Sequence, residues 1–290
     1  MKRDRITNEI RRLDTSERKN RNLFDHMKSF QNKQTTEGPI RDRNGDLKTE
    51  DDDMANAFND NLGEQLTSGD KPNVDWGTTH PDGTTETLTG GYITPGDVIR
   101  QIKAANRSAA PGPDEIPMEF YAQTWDIIGE PMSLLYNLIN QTGRVPKAFK
   151  TTKVKMLYKK KAKDDPQNYR PLSMSNHLGK IWERIMNEAL KKHLEKNGLL
   201  SSRQHGFRNG MGTTTNLMQL WEKVLATVEK EGALVEMWSF DLTKAFDLLD
   251  HAKVLELLHK AGVTGKFGKC LENWLTGRYQ YVEVNGVKSR

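Results

Sequence analysis

The stretch that most constrains this 290-residue chain is 234–250, LVEMWSFDLTKAFDLLD. Apolar Leu234, Val235, Met237, Trp238 and Phe240 lead straight into an acid, Asp241, and Ala245-Phe246-Asp247 then opens a helical pattern. A short apolar run of β-forming residues bounded by polar ones predicts a buried strand. An aspartate at its C-terminal tip lifts a carboxylate out of the core. Hard oxygen ligands there suit Mg²⁺, which takes one or two protein carboxylates and fills its other positions with water or phosphate. Read alone, the same acid serves equally well to end a strand or cap a helix, so the surrounding sequence has to decide.

That surrounding sequence is charged in blocks. The net charge of +5 from 44 basic and 39 acidic residues is mild. Residues 1–36, however, hold ten Lys+Arg against five acids, 41–91 hold four against twelve, and 147–163 carry eight lysines and no acid. Such asymmetry points to a polyanion-facing surface in one region and a solvated linker in another. The single cysteine, Cys270, excludes an internal disulfide and fits a reducing compartment. No apolar run approaches a membrane span, and the basic amino terminus lacks the apolar core of a secretory signal. The chain is therefore expected inside the cell, in cytoplasm and nucleus, with no membrane partner.

Taken in order, 1–33 reads as a basic helix or arm, and the Gly38-Pro39 and Asn44-Gly45 turn signals within 34–50 suit a small hairpin. A helix follows around 54–66 with Met54, Ala57, Phe58, Asn61 and Leu62 on one side, and the Asp51-Asp52-Asp53 run reads as its solvated start. Residues 67–91, rich in Gly, Thr, Pro and Asp, read as a linker, with the compact body starting after them. Thr94-Pro95-Gly96-Asp97 is a helix start. Three prolines around one glycine make 108–117 a rigid loop, and 118–140 reads as two helices broken near Gly129-Glu130-Pro131. Residues 146–158 turn extended, with Val154, Met156 and Tyr158 alternating against Lys153, Lys155 and Lys159, a period of two with a basic outer face. Amphipathic helices are expected at 178–196, ended by Asn197-Gly198, and at 213–228, with others near 251–261 and 266–275. The chain closes on a strand at 279–284 and an Asn285-Gly286 turn whose return strand looks cut short.

Four segments carry the chemistry: Pro111-Gly-Pro-Asp114, Asn168-Tyr-Arg-Pro-Leu-Ser173, Gln204-His-Gly-Phe-Arg208 and Phe240-Asp-Leu-Thr-Lys-Ala-Phe-Asp247. Their order and residue types resemble the reverse transcriptase domain of non-LTR, LINE-type retrotransposons, strongly over 95–290 and more weakly upstream. Four spaced motifs are far more specific than any one. The resemblance implies an RNA-directed DNA polymerase whose partners are an RNA template, a DNA primer and dNTPs, with Mg²⁺ (or Mn²⁺) as cofactor. It makes Asp241 the catalytic metal ligand, with the Leu242 carbonyl completing a second ion's shell. Asp247 reads as a cap or salt-bridge partner. Phe246 matches the steric gate that selects dNTPs, and a core aromatic is the plainer alternative. Lys159 and Arg170 fall where the incoming triphosphate is held, a point charge beside a fork of donors; a solvated charge run is the alternative for the lysines. Gln204, Gly206, Phe207 and Arg208 match the template cradle, with Gly206 permitting close approach and Arg208 reaching a phosphate. His205 reads as an exposed loop residue. The family has Gly where this chain has Glu115; if that position needs positive φ, Glu115 is costly there. The 111–114 loop is given no catalytic part.

The fold class implied is α+β, the fingers and partial palm of a right-hand polymerase, with helices on a small, mainly antiparallel sheet. Residues 1–91 read as basic arm and acidic linker, 92–230 as fingers and template-facing part, and 231–290 as partial palm. The later motifs, including the Asp-Asp pair, are not in this sequence, so the chain reads as truncated before them and inactive alone. The alternative is a catalytically dead nucleic-acid-binding remnant. An unpaired sheet edge is expected after Val284, with poor solubility to match. A nucleotide-binding α/β protein is excluded, because no Gly-rich phosphate loop precedes a helix.

Overall fold

Alternation decides the architecture of the sheet. The computed structural model describes residues 38–65, 74–77, 87–230, 232–242, 245–246 and 248–290. Within them, strands β1 (Ile40–Arg41) and β2 (Leu47–Lys48) form a small antiparallel hairpin around Gly45, as the turn signals predicted. Strands β3 (Thr151–Tyr158), β4 (Tyr169–Ser175), β5 (Tyr279–Val284) and β6 (Val287–Lys288) make a sheet in the order β4-β3-β5-β6. The β3–β4 and β5–β6 pairs are antiparallel and β3–β5 is parallel, so the sheet is mainly antiparallel. Successive side chains of a strand point to opposite faces. Val154, Met156, Val282 and Val284 are buried on one face, while Lys153, Lys155 and Leu157 lie on the other with Arg170, Leu172, Tyr281 and Glu283.

The apolar face is covered by helix α1 (Asp51–Gln65), whose Met54, Ala55, Ala57, Phe58 and Leu62 join Ile40 and Tyr169 in one cluster with the sheet. Phe58 meets the Tyr169 ring edge-on at 4.9 Å. Polar ties run along the seam. Asn285 Nδ2 donates to Asp51 Oδ1 at 2.8 Å, Arg290 N to Asn56 Oδ1 at 3.0 Å, and Arg41 pairs with Asp164 at 2.7 Å. The compact body therefore starts at the first hairpin and not after Gly91. The helix stripe was legible, but a sheet face to receive it was not. The expected linker is also held where it is described: buried Trp76 donates to Glu272 Oε2 at 2.6 Å, and its ring fills the space that a Cβ on Gly268 would enter. The basic segment expected over 1–33 lies outside the described residues.

The larger core is helical. It is built by α2 (Pro95–Ala104), α3 (Met118–Gln123), α4 (Trp125–Thr142), the short α5 (Lys147–Lys150), α6 (His177–Lys196), α8 (His251–Lys260) and α9 (Gly265–Leu275); α7 (Thr213–Val228) stands apart from it. Val98, Ile102, Tyr136, Ile139, Ile181, Trp182, Leu255 and Phe267 are among its buried members. Helix α2 opens with a reciprocal capping box, Asp97 N to Thr94 Oγ1 at 3.2 Å and Thr94 N to Asp97 Oδ2 at 3.0 Å. Two breaks differ from expectation. Pro131 sits inside α4, where Gly129 lets Ile99 pack close, and the chain breaks instead at Thr124, whose hydroxyl donates to Phe120 O at 2.8 Å. Residues 147–150 make one helical turn before β3 begins.

The strand predicted over 234–240 is not formed. The segment is extended but unpaired, with Leu234 91% and Phe240 87% exposed. A buried strand needs ladder partners and cover on its faces, and no described strand lies beside it. Helix α7 forms at the expected place but buries none of its residues. The edge expected to stand open after Val284 instead carries β6. Asn285 and Gly286, at φ 48° and 88°, make the tight turn that this dipeptide favours, and Ser289 N donates to Val282 O at 2.8 Å.

If residues 38–65 are part of the body, Phe58→Ala in the full chain should cost about 3–5 kcal/mol of unfolding free energy. Denaturant titration checks this; a loss under about 0.5 kcal/mol, the range of a surface change, would show a detachable arm.

Candidate nucleic-acid interface

The sheet face turned away from α1 is where the charged side chains gather. On β3, Lys153 is 6% exposed at its side chain and is held by two carboxylates, Glu115 Oε1 at 2.7 Å and Glu283 Oε2 at 3.8 Å. Burial pulls the Lys153 ammonium down, but the Glu115 hydrogen bond and the nearby acids outweigh it and leave the group raised. The Lys153 hydrogen bond and charge in turn hold Glu115 below the usual carboxylate range. Glu115 stands at φ 55°, the conformation suspected of its position. A glycine adopts it freely; a glutamate holds it at a cost, which the Lys153 bridge offsets. The 108–117 loop is fixed at its other end, where a Cβ on Gly112 would stand 2.4 Å from Asn176 N.

At the far end of the same hairpin the cations are free. Arg170 is exposed and pairs in register with Leu157, and Lys159 N donates to Asn168 O at 2.8 Å. The tip is organised by its backbone: Asn168 Nδ2 donates to Ala162 O at 2.9 Å and Tyr169 Oη to Lys163 O at 2.7 Å. Among the described residues, no carboxylate stands within ion-pair distance of Lys159, Lys160, Lys161 or Arg170. The period-two reading of β3 and its basic outer face holds here.

The loop 201–212 is built around Arg208. Its Nε and Nη2 grip both oxygens of Glu195 at 2.7 and 2.6 Å, and Nη1 donates to Ser201 O at 2.8 Å and Gln204 O at 3.4 Å. The side chain is only 14% exposed. The hydrogen bond from Arg208 holds Glu195 below the ordinary glutamate range and Arg208 correspondingly high. So Arg208, expected on a template phosphate, is occupied in tying its loop to α6. No local pattern flags Glu195, thirteen residues upstream. His205 is buried rather than exposed, its ring nitrogens paired with Thr215 Oγ1 at 2.9 Å and Gln219 Oε1 at 3.0 Å on α7. Gln204 Nε2 reaches Gly206 O at 3.3 Å. The left-handed residue is Phe207, at φ 63°, and not Gly206.

Asp241 and Leu242 are exposed, and no hydrogen bond or ion pair ties the Asp241 carboxylate to another described residue. Phe246 is exposed rather than a core aromatic, and it meets Phe207 edge-on at 6.2 Å, bringing the 204–208 and 240–247 motifs together. Asp247 lies outside the described residues; the cap on α8 is Asp250, which accepts from Ala252 N at 2.9 Å and Lys253 N at 3.2 Å.

Residues 158–289 match the family described as reverse transcriptase (RNA-dependent DNA polymerase). That segment is similar to reverse transcriptases. Relatives agree. Over 92% of its length the chain is 24% identical to a probable RNA-directed DNA polymerase from transposon BS of Drosophila melanogaster, of which it covers 30%. It is 28% identical over 57% of its length to a retrovirus-related Pol polyprotein from type-1 retrotransposable element R2 of Nasonia vitripennis, covering 15%. A third, the RNA-directed DNA polymerase from mobile element jockey of Drosophila melanogaster, is 28% identical over 68% of the chain and is covered for 21%. The chain thus spans less than a third of the length of these relatives, and it is homologous to the polymerases of non-LTR retrotransposons. The α+β architecture is consistent with a reverse transcriptase domain.

Reverse transcriptases use divalent metal ions. The described residues do not fit one by themselves, since no group of three His, Cys, Asp or Glu among them converges. Asp241 joins no such group among the described residues. No helix among the described residues is long and apolar enough to cross a membrane.

Two outcomes follow from these ties. Glu115→Gly should melt higher than Glu115→Ala, because both lose the Lys153 bridge but only alanine keeps the left-handed strain; equal melting temperatures would refute the strain. For the 201–212 loop, Glu195 has its folded pKa depressed, so its contribution is present above the unfolded value and lost on acidification. Protection of the loop amides relative to their intrinsic exchange rates should therefore hold from pH 7 down to about pH 5 and fall below about pH 4, whereas Arg208→Ala should be poorly protected throughout.

Proposed function

We propose that this chain is the fingers and template-facing part (92–230) and partial palm (231–290) of a right-hand RNA-directed DNA polymerase, preceded by its upstream segment (1–91). It acts on an RNA template, a DNA primer and dNTPs inside the cell. The observation that carries the reading is the family match over 158–289, which opens on the hairpin bearing the free cations. Arg170 offers a fork of donors to phosphate oxygens and Lys159 a point charge at the same tip. Transfer of a phosphoryl group gains most from such fixed electrostatic contacts.

The remaining roles follow the motifs. Asp241 and the Leu242 carbonyl are this segment's contribution to a Mg²⁺ or Mn²⁺ site. Phe246 gates the sugar, its exposed ring available to an incoming nucleotide. Gln204, Gly206 and Phe207 face the template, with Arg208 holding their loop.

In the full chain, binding to an RNA–DNA duplex should weaken with salt, and Arg170→Ala or Lys159→Ala should each lower the slope of log K against log salt by about 0.9. Neither side chain is buried, so folding is unaffected. An unchanged slope would remove both from the phosphate path. Primer extension with Mg²⁺ then separates synthesis from the alternative: duplex binding without dNTP incorporation makes this chain a nucleic-acid-binding remnant.

A further inference from the structure

The tip of the β3–β4 hairpin carries the means to neutralise itself and does not use them. Residues 159–168 hold four lysines and two acids, Asp164 and Asp165, all close together in the chain. Yet among the described residues Lys159, Lys160, Lys161 and Lys163 meet no carboxylate within ion-pair distance, because both acids are engaged elsewhere. Asp165 is used locally. Its Oδ1 accepts from Gln167 N at 2.9 Å and its Oδ2 from Asn168 Nδ2 at 3.3 Å, which caps the short turn Pro166–Asn168. Asp164 is held from outside the tip, by Arg41, 123 residues upstream. Arg41 Nε donates to Asp164 Oδ2 at 2.7 Å, and the Arg41 backbone N–H donates to Asp164 O at 2.8 Å.

Arg41 reaches this contact already aimed. Its neighbour Ile40 is fully buried with α1 and the sheet, and Arg41 Nη1 donates to Gly45 O at 3.0 Å within the first hairpin. A guanidinium fixed in this way loses little freedom on taking a carboxylate, whereas a tip lysine has to immobilise a flexible four-carbon stem. Stability does not explain the pair. Its side chains are 53% and 35% exposed, and such ion pairs contribute little to folding. The effect that remains is on the charge of the tip. Without Arg41, Asp164 stands next to Lys163 and five residues from Lys159. A lysine that it captured would exchange a phosphate contact for an internal ion pair.

We infer that Arg41 is a positioning residue for the phosphate-holding tip: by occupying Asp164 it keeps the tip lysines from being neutralised by their own neighbour. The inference rests on the reading of this tip as a holder of phosphates, and it gives the upstream hairpin a part in binding.

Salt-dependent binding of an RNA–DNA duplex to the full chain tests it. Arg41→Ala removes the side-chain tie and leaves the backbone hydrogen bond to hold the hairpin. The slope of log K against log salt should fall by about 0.9, as if one phosphate contact were lost, although no phosphate-holding residue has changed. Asp164→Asn alone should keep the wild-type slope or exceed it. The double variant Arg41→Ala/Asp164→Asn should recover the wild-type slope, because the acid that captures a lysine is gone. A brace that merely supports the tip predicts the opposite, with the double variant as low as Arg41→Ala. The inference is overturned if Arg41→Ala keeps the wild-type slope, if the double variant stays low, or if Asp164→Asn alone lowers it. A wild type that fails to bind the duplex, or a slope indifferent to both Lys159→Ala and Arg170→Ala, would instead sink the reading of the tip itself.

Discussion

A sheet with one face sealed by α1 and the other left open is the constraint on which the rest of the molecule depends. Val154, Met156, Val282 and Val284 can be buried on one side only because Met54, Phe58 and Leu62 arrive from far upstream to cover them. With strand period two, burying the even residues of β3 commits Lys153, Lys155 and Leu157 to the opposite face. The charged surface is thus a consequence of the packing. A slip of one residue in register would drive the lysines under α1 and the valines into water, so the sealed face protects the chemistry of the open one.

The cations of the sheet face and of the 201–212 loop divide into two kinds. Lys153 and Arg208 are sequestered by Glu115, Glu283 and Glu195, and their charge is used to fix loops. Lys159 and Arg170 are left unpaired at the hairpin tip. A group already satisfied by a carboxylate has little to gain from phosphate, since the exchange trades one charge-assisted bond for another. The unpaired ones gain the whole interaction together with counterion release. Composition alone treats all these residues as one basic surface; geometry separates holders of the scaffold from holders of the ligand.

How much was legible depends on whether the determinant was local. The Thr94 capping box, the Asn285-Gly286 turn, the α6 stripe and the alternation of β3 were readable because each is fixed by neighbours within a few residues. The motifs did not say that Phe207 and Phe246 stand exposed; a core aromatic was the plainer alternative for Phe246. What stayed hidden was pairing at a distance. Glu195 with Arg208, Glu115 with Lys153, Trp76 against Gly268, and α1 under the sheet all join residues that no spacing rule connects. His205 was misjudged because its partners, Thr215 and Gln219, come from the next helix.

The strand expected at 234–240 fails in a way that locates where the fold is underdetermined. Its residues have strong β-propensity, but propensity measures how well a side chain fits a covered, pleated surface, and no described element supplies the cover. The same holds for α7, whose Leu217, Met218, Trp221 and Val228 all stay exposed although its spacing makes a clean apolar stripe. The exposed apolar side chains among the described residues of 213–249 exceed what isolated surface residues explain. With few buried contacts to oppose opening, this stretch has little of its own to set its local stability. The ties at His205 and Arg208 matter most for that reason: among the described residues they fix the loop before α7, Arg208 to α6 through Glu195 and His205 to α7 through Thr215 and Gln219.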